Sequence, residues 1–391
     1  MPIRLASGMN RIGTETAFAV LARAKALEAQ GKSVVHMQIG EPDFDTPAHI
    51  VQAAQEALAS GWTHYGPAQG DPELRAAISN YIGSTRGAQY TPEQVLVTPG
   101  GKPVMFFAML ALLQPGDEAI YPDPGFPIYR SMIEFTGATA VPAVLREEND
   151  FRLDTEELRG LVTERTRLII INTPGNPCGN ALTREDIEAV AEVALQHDLV
   201  VLADEIYAEL LYEGEHVSIA SLPGMAERTI LLDGFSKTFA MTGWRMGYGL
   251  IPQELIGPMT TLMVNSASCT NVAAQRAGIA ALTGPWDEVR SFKDAFARRR
   301  ELLIAGLNDI PGISCVDPKG AFYAFPKVGS FGLRSDDFAN RLLDEFGVAT
   351  VSGTSFGDAG EGYIRLSYAT SEENISEALV RIRAATEAFA G

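Results

Sequence analysis

Between residues 94 and 237 the chain repeats one pattern: a short apolar run rich in β-branched residues, a polar or glycine-rich turn, and then a helical pattern in most cases. Gln94–Val97 (QVLV) leads into TPGG and a helical pattern from Lys102. Ala119–Tyr121 leads into PDPGFP. Leu168–Ile171 (LIII) leads into NTPGNPCGN, and Thr183–His197 then reads as a helix. Leu199–Ala203 (LVVLA) leads into Asp204 and Glu205, and Thr229–Leu232 (TILL) into DGFSKTF. A strand that is apolar at consecutive positions has to be covered on both faces. Such runs, alternating with helices, predict an α/β fold with a mostly parallel sheet flanked by helices. Ligands of open α/β sheets bind beyond the carboxyl ends of the strands. The polar residues cluster there: Thr98–Lys102, Asp123–Pro127, Asn172–Gly179, Asp204–Tyr207 and Asp233–Lys237.

After Gly284 the pattern changes to a long charged helix, Trp286–Leu307, then short mixed elements and a last helix near Glu372–Ala388. The expected division is a large domain over 47–285 and a smaller α+β domain over 286–391. The N-terminal segment, 1–46, is assigned to the small domain because it starts outside the sheet pattern.

The chain has 391 residues with 31 Lys and Arg against 49 Asp and Glu, a formal charge of −18. That balance argues against nucleic acid or an anionic membrane as a partner. Arg298, Arg299 and Arg300 form the one basic run, read as a solvated helix face. Three widely spaced cysteines, Cys178, Cys269 and Cys315, without a C-x-x-C pair, suit a reducing compartment better than a disulfide scaffold or a zinc site. The histidines show no metal-like spacing, so no metal is expected. The first residues lack the apolar core of a signal peptide. Val104–Leu113 is too short to span a bilayer. A soluble, cytoplasmic protein is expected.

GFSKTFAMTGWR, Gly234–Arg245, places two lone cations, Lys237 and Arg245, in an apolar segment. Burial and a neighbouring cation such as Arg245 would disfavour the Lys237 ammonium. Its ordinary pKa is about 10.4, and only a lowered value makes it an amine nucleophile near neutral pH. Thr98-Pro-Gly-Gly-Lys102, between strand and helix, is either a plain turn or a phosphate cradle. Ser236 and Arg245 could add a hydroxyl and a guanidinium to the same phosphate. Asp204 ends a buried strand and needs a cationic or hydrogen-bonding partner. A protonated pyridine nitrogen at about 4 Å would gain about 4 kcal/mol at an effective dielectric of about 20. Tyr207, three residues on, could donate to a phenolic oxygen on the same ring.

Together these segments resemble the fold-type I aminotransferases that use pyridoxal 5′-phosphate (PLP), within them the aspartate aminotransferase-like class I group. The resemblance spans nearly the whole chain: IGEPDFDTP (39–47), THYGPAQG (63–70), VTPGGK (97–102), PDPGFPIY (122–129), NTPGNPCG (172–179), DEIY (204–207), GFSKTFAMTGWRMGYG (234–249), GAFYAFP (320–326) and YIRLSYATS (363–371). It implies that Lys237 holds PLP covalently as a Schiff base, that Asp204 pairs with the pyridinium nitrogen, and that Tyr207 and Asn176 contact the ring oxygen. Ser236, Arg245 and the backbone of Gly101 and Lys102 would hold the phosphate. Tyr65 would reach it from a second subunit, which makes the protein a homodimer with shared active sites. Arg365 would clamp the substrate α-carboxylate, helped by Asn176 and the backbone near Gly40. Phe126 stands where many relatives carry a tryptophan stacked on the ring. Gly234 replaces a serine of some members, and Cys178 a threonine. The implied reaction is ping-pong transfer of an amino group from an L-amino acid to a 2-oxo acid, first of all aspartate or glutamate with 2-oxoglutarate. A broad or aromatic specificity, and a PLP-dependent lyase on the same fold, are the alternatives. Lys102 either meets an acidic substrate side chain or is structural.

Overall fold

The computed structural model describes residues 3–389. Seven strands form the central sheet, in the order Val95–Thr98, Gly247–Leu250, Thr229–Gly234, Val200–Asp204, Thr166–Asn172, Glu118–Asp123, Thr139–Val144. Gly247–Leu250 is antiparallel to both its neighbours, and the other pairings are parallel. Alternate residues of the apolar runs enter different cores. Leu168, Ile170, Leu202, Ile230 and Leu232 pack with Val104, Phe107 and Met109 of the helix Lys102–Leu112. Ile169, Ile171, Val201 and Ala203 pack on the other face with Ile187, Val190 and Ala194 of the helix Arg184–Gln196. That two-sided burial is why the runs are continuous rather than alternating.

Two strands were not expected. Thr139–Val144 is an edge strand that includes Pro142 and is only partly buried, so it lacks an apolar run. Gly247–Leu250 is GYGL, whose glycines obscure a strand pattern. Elsewhere the sequence bounds shift by a residue or two.

Both ends of the chain contribute to a separate core. Val35–His36 pairs in parallel with Val348–Ala349, and the Ser367 N–H donates to Met37 O at 2.7 Å. Val35 and Met37 pack with Phe296 and Leu303 of the helix Asp287–Asn308 and with Ile375 and Ile382 of the helix Glu372–Phe389. The basic run is not the solvated face expected of it. Arg298 is exposed, but Arg299 and Arg300 are buried. Arg299 donates twice to Asp43, at 2.7 and 2.9 Å, with its guanidinium over Phe44. Arg300 donates to Pro318 O at 3.0 Å and to Glu213 at 2.8 Å. Their apolar stems cover core surface while the planar heads find fixed acceptors.

A buried charge cluster ties together the strand ends that carry the polar loops. Arg86, at the end of the helix Pro72–Arg86, has a side chain only 3% exposed. It lies 2.8 Å from Glu209, 3.4 Å from Glu205 and 3.5 Å from Asp233. Glu205 follows Asp204, and Asp233 precedes the Gly234–Lys237 loop. Burial pushes the Asp233 carboxyl up to about 7 against the pull of Arg86. Arg86→Met leaves several carboxylates around an apolar side chain and is expected to cost about 3–5 kcal/mol of stability. Urea unfolding measures this, and a loss below about 1 kcal/mol would show that the cluster does not hold the strand ends together.

Candidate active site

Beyond the carboxyl ends of these strands lies a cavity of about 500 Å³, within the usual range for small-molecule sites. Gly40, Gly101, Lys102, Phe126, Asn176, Asp204, Tyr207, Ser236, Lys237, Arg245 and Arg365 all line it. Tyr65 does not, and it is 89% exposed.

Lys237 leaves the strand Thr229–Gly234 three residues after its end and turns its amino group into the cavity. Its Nζ donates to Gly40 O at 2.5 Å and lies 5.9 and 5.7 Å from the ring centroids of Tyr207 and Phe322. Desolvation lowers its pKa to about 8. Arg365 and Lys102 also lower it, while Glu41 and Glu15 pull the other way. The neighbouring cation is therefore Arg365 rather than the Arg245 suggested by the sequence. Position 40 has to be glycine, because a Cβ there would lie 2.0 Å from the Tyr323 hydroxyl.

Asp204 is buried at the end of its strand, level with Asn172 on the neighbouring one. One oxygen accepts from the Tyr129 hydroxyl at 2.6 Å and the other from the Ile206 N–H at 3.3 Å. Burial still raises its pKa to about 6. The Tyr207 hydroxyl shares a 2.8 Å hydrogen bond with that of Tyr323. Arg365 is 4% exposed and donates to Asn176 Oδ1 at 3.0 Å and to Gln38 O at 2.5 Å, while its Nε has no partner. At the other end of the cavity the Thr98–Gly101 turn opens the helix Lys102–Leu112. Gly100 has φ +85°, and a Cβ on it would lie 2.3 Å from an Arg245 Nη. The bare glycine thus brings the guanidinium, the helix N-terminus and Ser236 to one concavity, an arrangement suited to a phosphate.

The family model for aminotransferase classes I and II matches residues 32–382. This chain belongs to that family. An aspartate aminotransferase of Pyrococcus abyssi is 43% identical over 90% of this chain and 91% of its own. An aromatic-amino-acid aminotransferase of Thermococcus litoralis is 42% identical over 90% and 92%. The solved structure of the Thermus thermophilus aspartate aminotransferase with maleate superposes with a TM-score of 0.95 at 40% identity, covering 98% of this chain and all of that one.

The protein is thus a PLP-dependent aminotransferase of fold-type I. Its cavity fits the cofactor by its own chemistry. An anion cradle, a buried carboxylate with no ion-pair partner and a lysine of lowered pKa all line it. Tyr129, Tyr323, Glu15 and Glu41 also line the cavity but were not picked out from the sequence. Tyr129, Tyr323 and Glu41 lie inside quoted motifs, PDPGFPIY, GAFYAFP and IGEPDFDTP, whereas Glu15 carries no local signal.

The folded protein disfavours the Lys237 ammonium, so between about pH 8 and 10.5 the unfolded chain binds the additional proton. Stability of the cofactor-free protein therefore rises across that window, and the penalty is present in full below pH 8. Lys237→Met removes the penalty. Urea unfolding should show the variant more stable than the parent at pH 7, with the gap closing by pH 10.5. A pH-independent difference would mean that Lys237 is not desolvated.

Proposed function

We propose that this aminotransferase acts on dicarboxylic L-amino acids, aspartate or glutamate, with 2-oxoglutarate as acceptor. The observation that carries the reading is Arg365, a buried guanidinium with an unpartnered Nε, in the same cavity as Lys237. Such a group is strongly stabilised by a carboxylate that meets its fork. Asn176 Oδ1 and Gln38 O hold that fork in place, so the substrate α-carboxylate docks with its Cα on the Lys237 side. Ser236, Arg245 and the N–H groups of Gly101 and Lys102 would hold the cofactor phosphate. Asp204, oriented by Tyr129, would pair with the ring nitrogen, and Phe126 would stack on the ring. Tyr207 and Asn176 would contact the ring oxygen.

Bound there and joined to Lys237, PLP supplies an electron-withdrawing ring that acidifies the substrate Cα–H. Lys237 Nζ would carry the proton from the substrate Cα to the cofactor's aldehyde carbon, and in the second half of the cycle from that carbon to Cα of the incoming 2-oxo acid. The distal carboxylate of the substrate meets Lys102, whose Nζ lies 5.7 Å from the Phe126 ring centroid. A second reading, aromatic amino acids, is favoured by the Phe126 ring itself and by the Thermococcus litoralis relative.

The functional unit is a homodimer whose second subunit supplies Tyr65 to the phosphate. The 89% exposure of Tyr65, near exposed Trp62 and Leu58, supports this. A cytoplasmic location is supported by three unpaired cysteines. Among the described residues no helix is long and apolar enough to cross a membrane.

Titration of the PLP-loaded protein with single amino acids, followed by absorbance, tests the reading. Aspartate and glutamate should convert the bound cofactor to its amine form, and 2-oxoglutarate should reverse the change. Lys237→Ala should lose transamination altogether, and near-parental turnover would refute the role of Lys237. Arg365→Ala should lower kcat/KM by about a hundredfold or more, the loss expected when a charged partner is removed. Sedimentation equilibrium should give twice the chain mass.

A further inference from the structure

Glu15 and Ala17 line the cavity, and contacts on either side of Glu15 set the course of residues 11–17. Arg11 Nε donates to Glu134 O at 2.9 Å, the Gly13 N–H to Ser131 Oγ at 2.8 Å, and the Thr16 hydroxyl to Ser355 Oγ at 2.7 Å. Glu15 lies between these anchors. Its side chain is 19% exposed, lines the cavity and forms an ion pair through Oε1 with Lys102 Nζ. Phe18, at the start of the helix Ala17–Glu28, lines the same rim.

The other cations of the cavity have protein acceptors of a different kind. Arg365 is held by Asn176 and Gln38 O, Arg245 by Thr242 O, and Lys237 by Gly40 O. Lys102 alone among these four is held by a carboxylate, and its side chain is 43% exposed. A partly exposed ion pair of this kind shifts an equilibrium by about fivefold or less, so a competing carboxylate can replace it.

We infer that Glu15 determines specificity in the side-chain subsite as a displaceable counter-ion of Lys102, closed over uncharged substrate side chains and exchanged for the distal carboxylate of dicarboxylic ones. The inference rests on the proposed contact between Lys102 and the distal carboxylate. With the pair closed, an aromatic side chain meets the Phe126 ring and a neutralised lysine, and no unpaired cation is buried. With a dicarboxylate, one anion replaces another on Nζ and Glu15 turns towards the open rim. The exchange leaves Lys102 paired in both cases, so one site takes both substrate classes.

Calorimetric titration with maleate and with 3-phenylpropionate tests this without turnover, on the PLP-loaded protein and on Glu15→Gln, Lys102→Met and the double variant. Glu15→Ala serves as a second variant in case glutamine keeps a hydrogen bond to Lys102. Removing Glu15 should tighten maleate by about three- to fivefold relative to 3-phenylpropionate. The gain should vanish when Lys102 is methionine. In turnover the ratio of kcat/KM for aspartate over phenylalanine should rise by the same factor, through KM rather than kcat. Equal shifts for both ligands, or a gain that persists with Lys102→Met, would overturn the inference. If Lys102→Met weakens maleate while neither Glu15 variant changes it, the counter-ion role alone falls. If Lys102→Met leaves maleate binding untouched, the distal-carboxylate reading falls and takes this inference with it.

Discussion

Charge placed at the carboxyl ends of strands that are apolar on both faces has to be compensated locally, and the rest of the structure is arranged around that requirement. The sheet excludes water, so an unmatched ion there is far more unfavourable than at the surface. On one side charge is met by opposite charge: Arg86 faces Glu205, Glu209 and Asp233, and Glu205 also accepts from Ser218 at 2.6 Å. One residue away along the strands, on the cavity side, it is not. Asp204 has a tyrosine hydroxyl and one N–H, and Arg365 has neutral acceptors and an orphaned Nε. Consecutive residues of a strand point to opposite faces. Asp204 and the next residue, Glu205, therefore separate a cavity-side carboxylate without a cationic partner from a charge-paired structural cluster. A ligand with a cationic ring nitrogen and a carboxylate would complete the cavity side.

Much of this was legible in the sequence because it depends on local pattern. Continuous runs such as LIII and LVVLA can only be two-faced strands, and the turns after them collect the polar residues. The strands that escaped notice are those whose residues argue against them, the proline-containing edge TAVPAV and the glycine-rich GYGL. At the site, Lys237 and Arg245 stand out as lone cations in an apolar segment and Asp204 as a carboxylate at the end of a buried strand, whereas Arg365 was legible only through the resemblance. Tyr129 and Tyr323 do not stand out, since a buried tyrosine usually reads as core. Their roles appear only when the hydroxyls are seen 2.6 Å from Asp204 and 2.8 Å from Tyr207. The mistaken solvated face at Arg298–Arg300 has the same origin. Arginines on a helix look exposed until Asp43 and Glu213, distant in sequence, are brought to them.

Long-range contacts also explain why the cavity draws on the whole chain. Its floor comes from strand ends between residues 98 and 237. Its rim comes from residues 15–18 and 39–41, and its far wall from Tyr323 and Arg365. The strand Val35–His36 pairs with Val348–Ala349 and Met37 O accepts from Ser367, so Gly40 and Arg365 are fixed relative to one another by backbone hydrogen bonds. Arg299 adds a bidentate tie to Asp43 from the helix Asp287–Asn308. Gly40 O in turn holds the Lys237 amino group. Lys237 and Arg365 are thus positioned by a single short frame.

That frame couples substrate binding to the basicity of Lys237. After desolvation, the charges acting on its amino group are Glu41, Arg365, Glu15 and Lys102, of which the two cations lower its proton affinity and the two anions raise it. On the proposed contacts, a carboxylate on Arg365 would cancel one lowering influence, whereas a distal carboxylate that takes the place of Glu15 on Lys102 would leave that balance nearly unchanged. Substrate carboxylates bound at Arg365 would therefore shift the lysine towards stronger base character when it has a Cα proton to remove. In their absence it stays closer to neutral and able to act as a nucleophile at moderate pH. The guanidinium proposed to bind the substrate carboxylate is thus also one of the charges that set the protonation of Lys237.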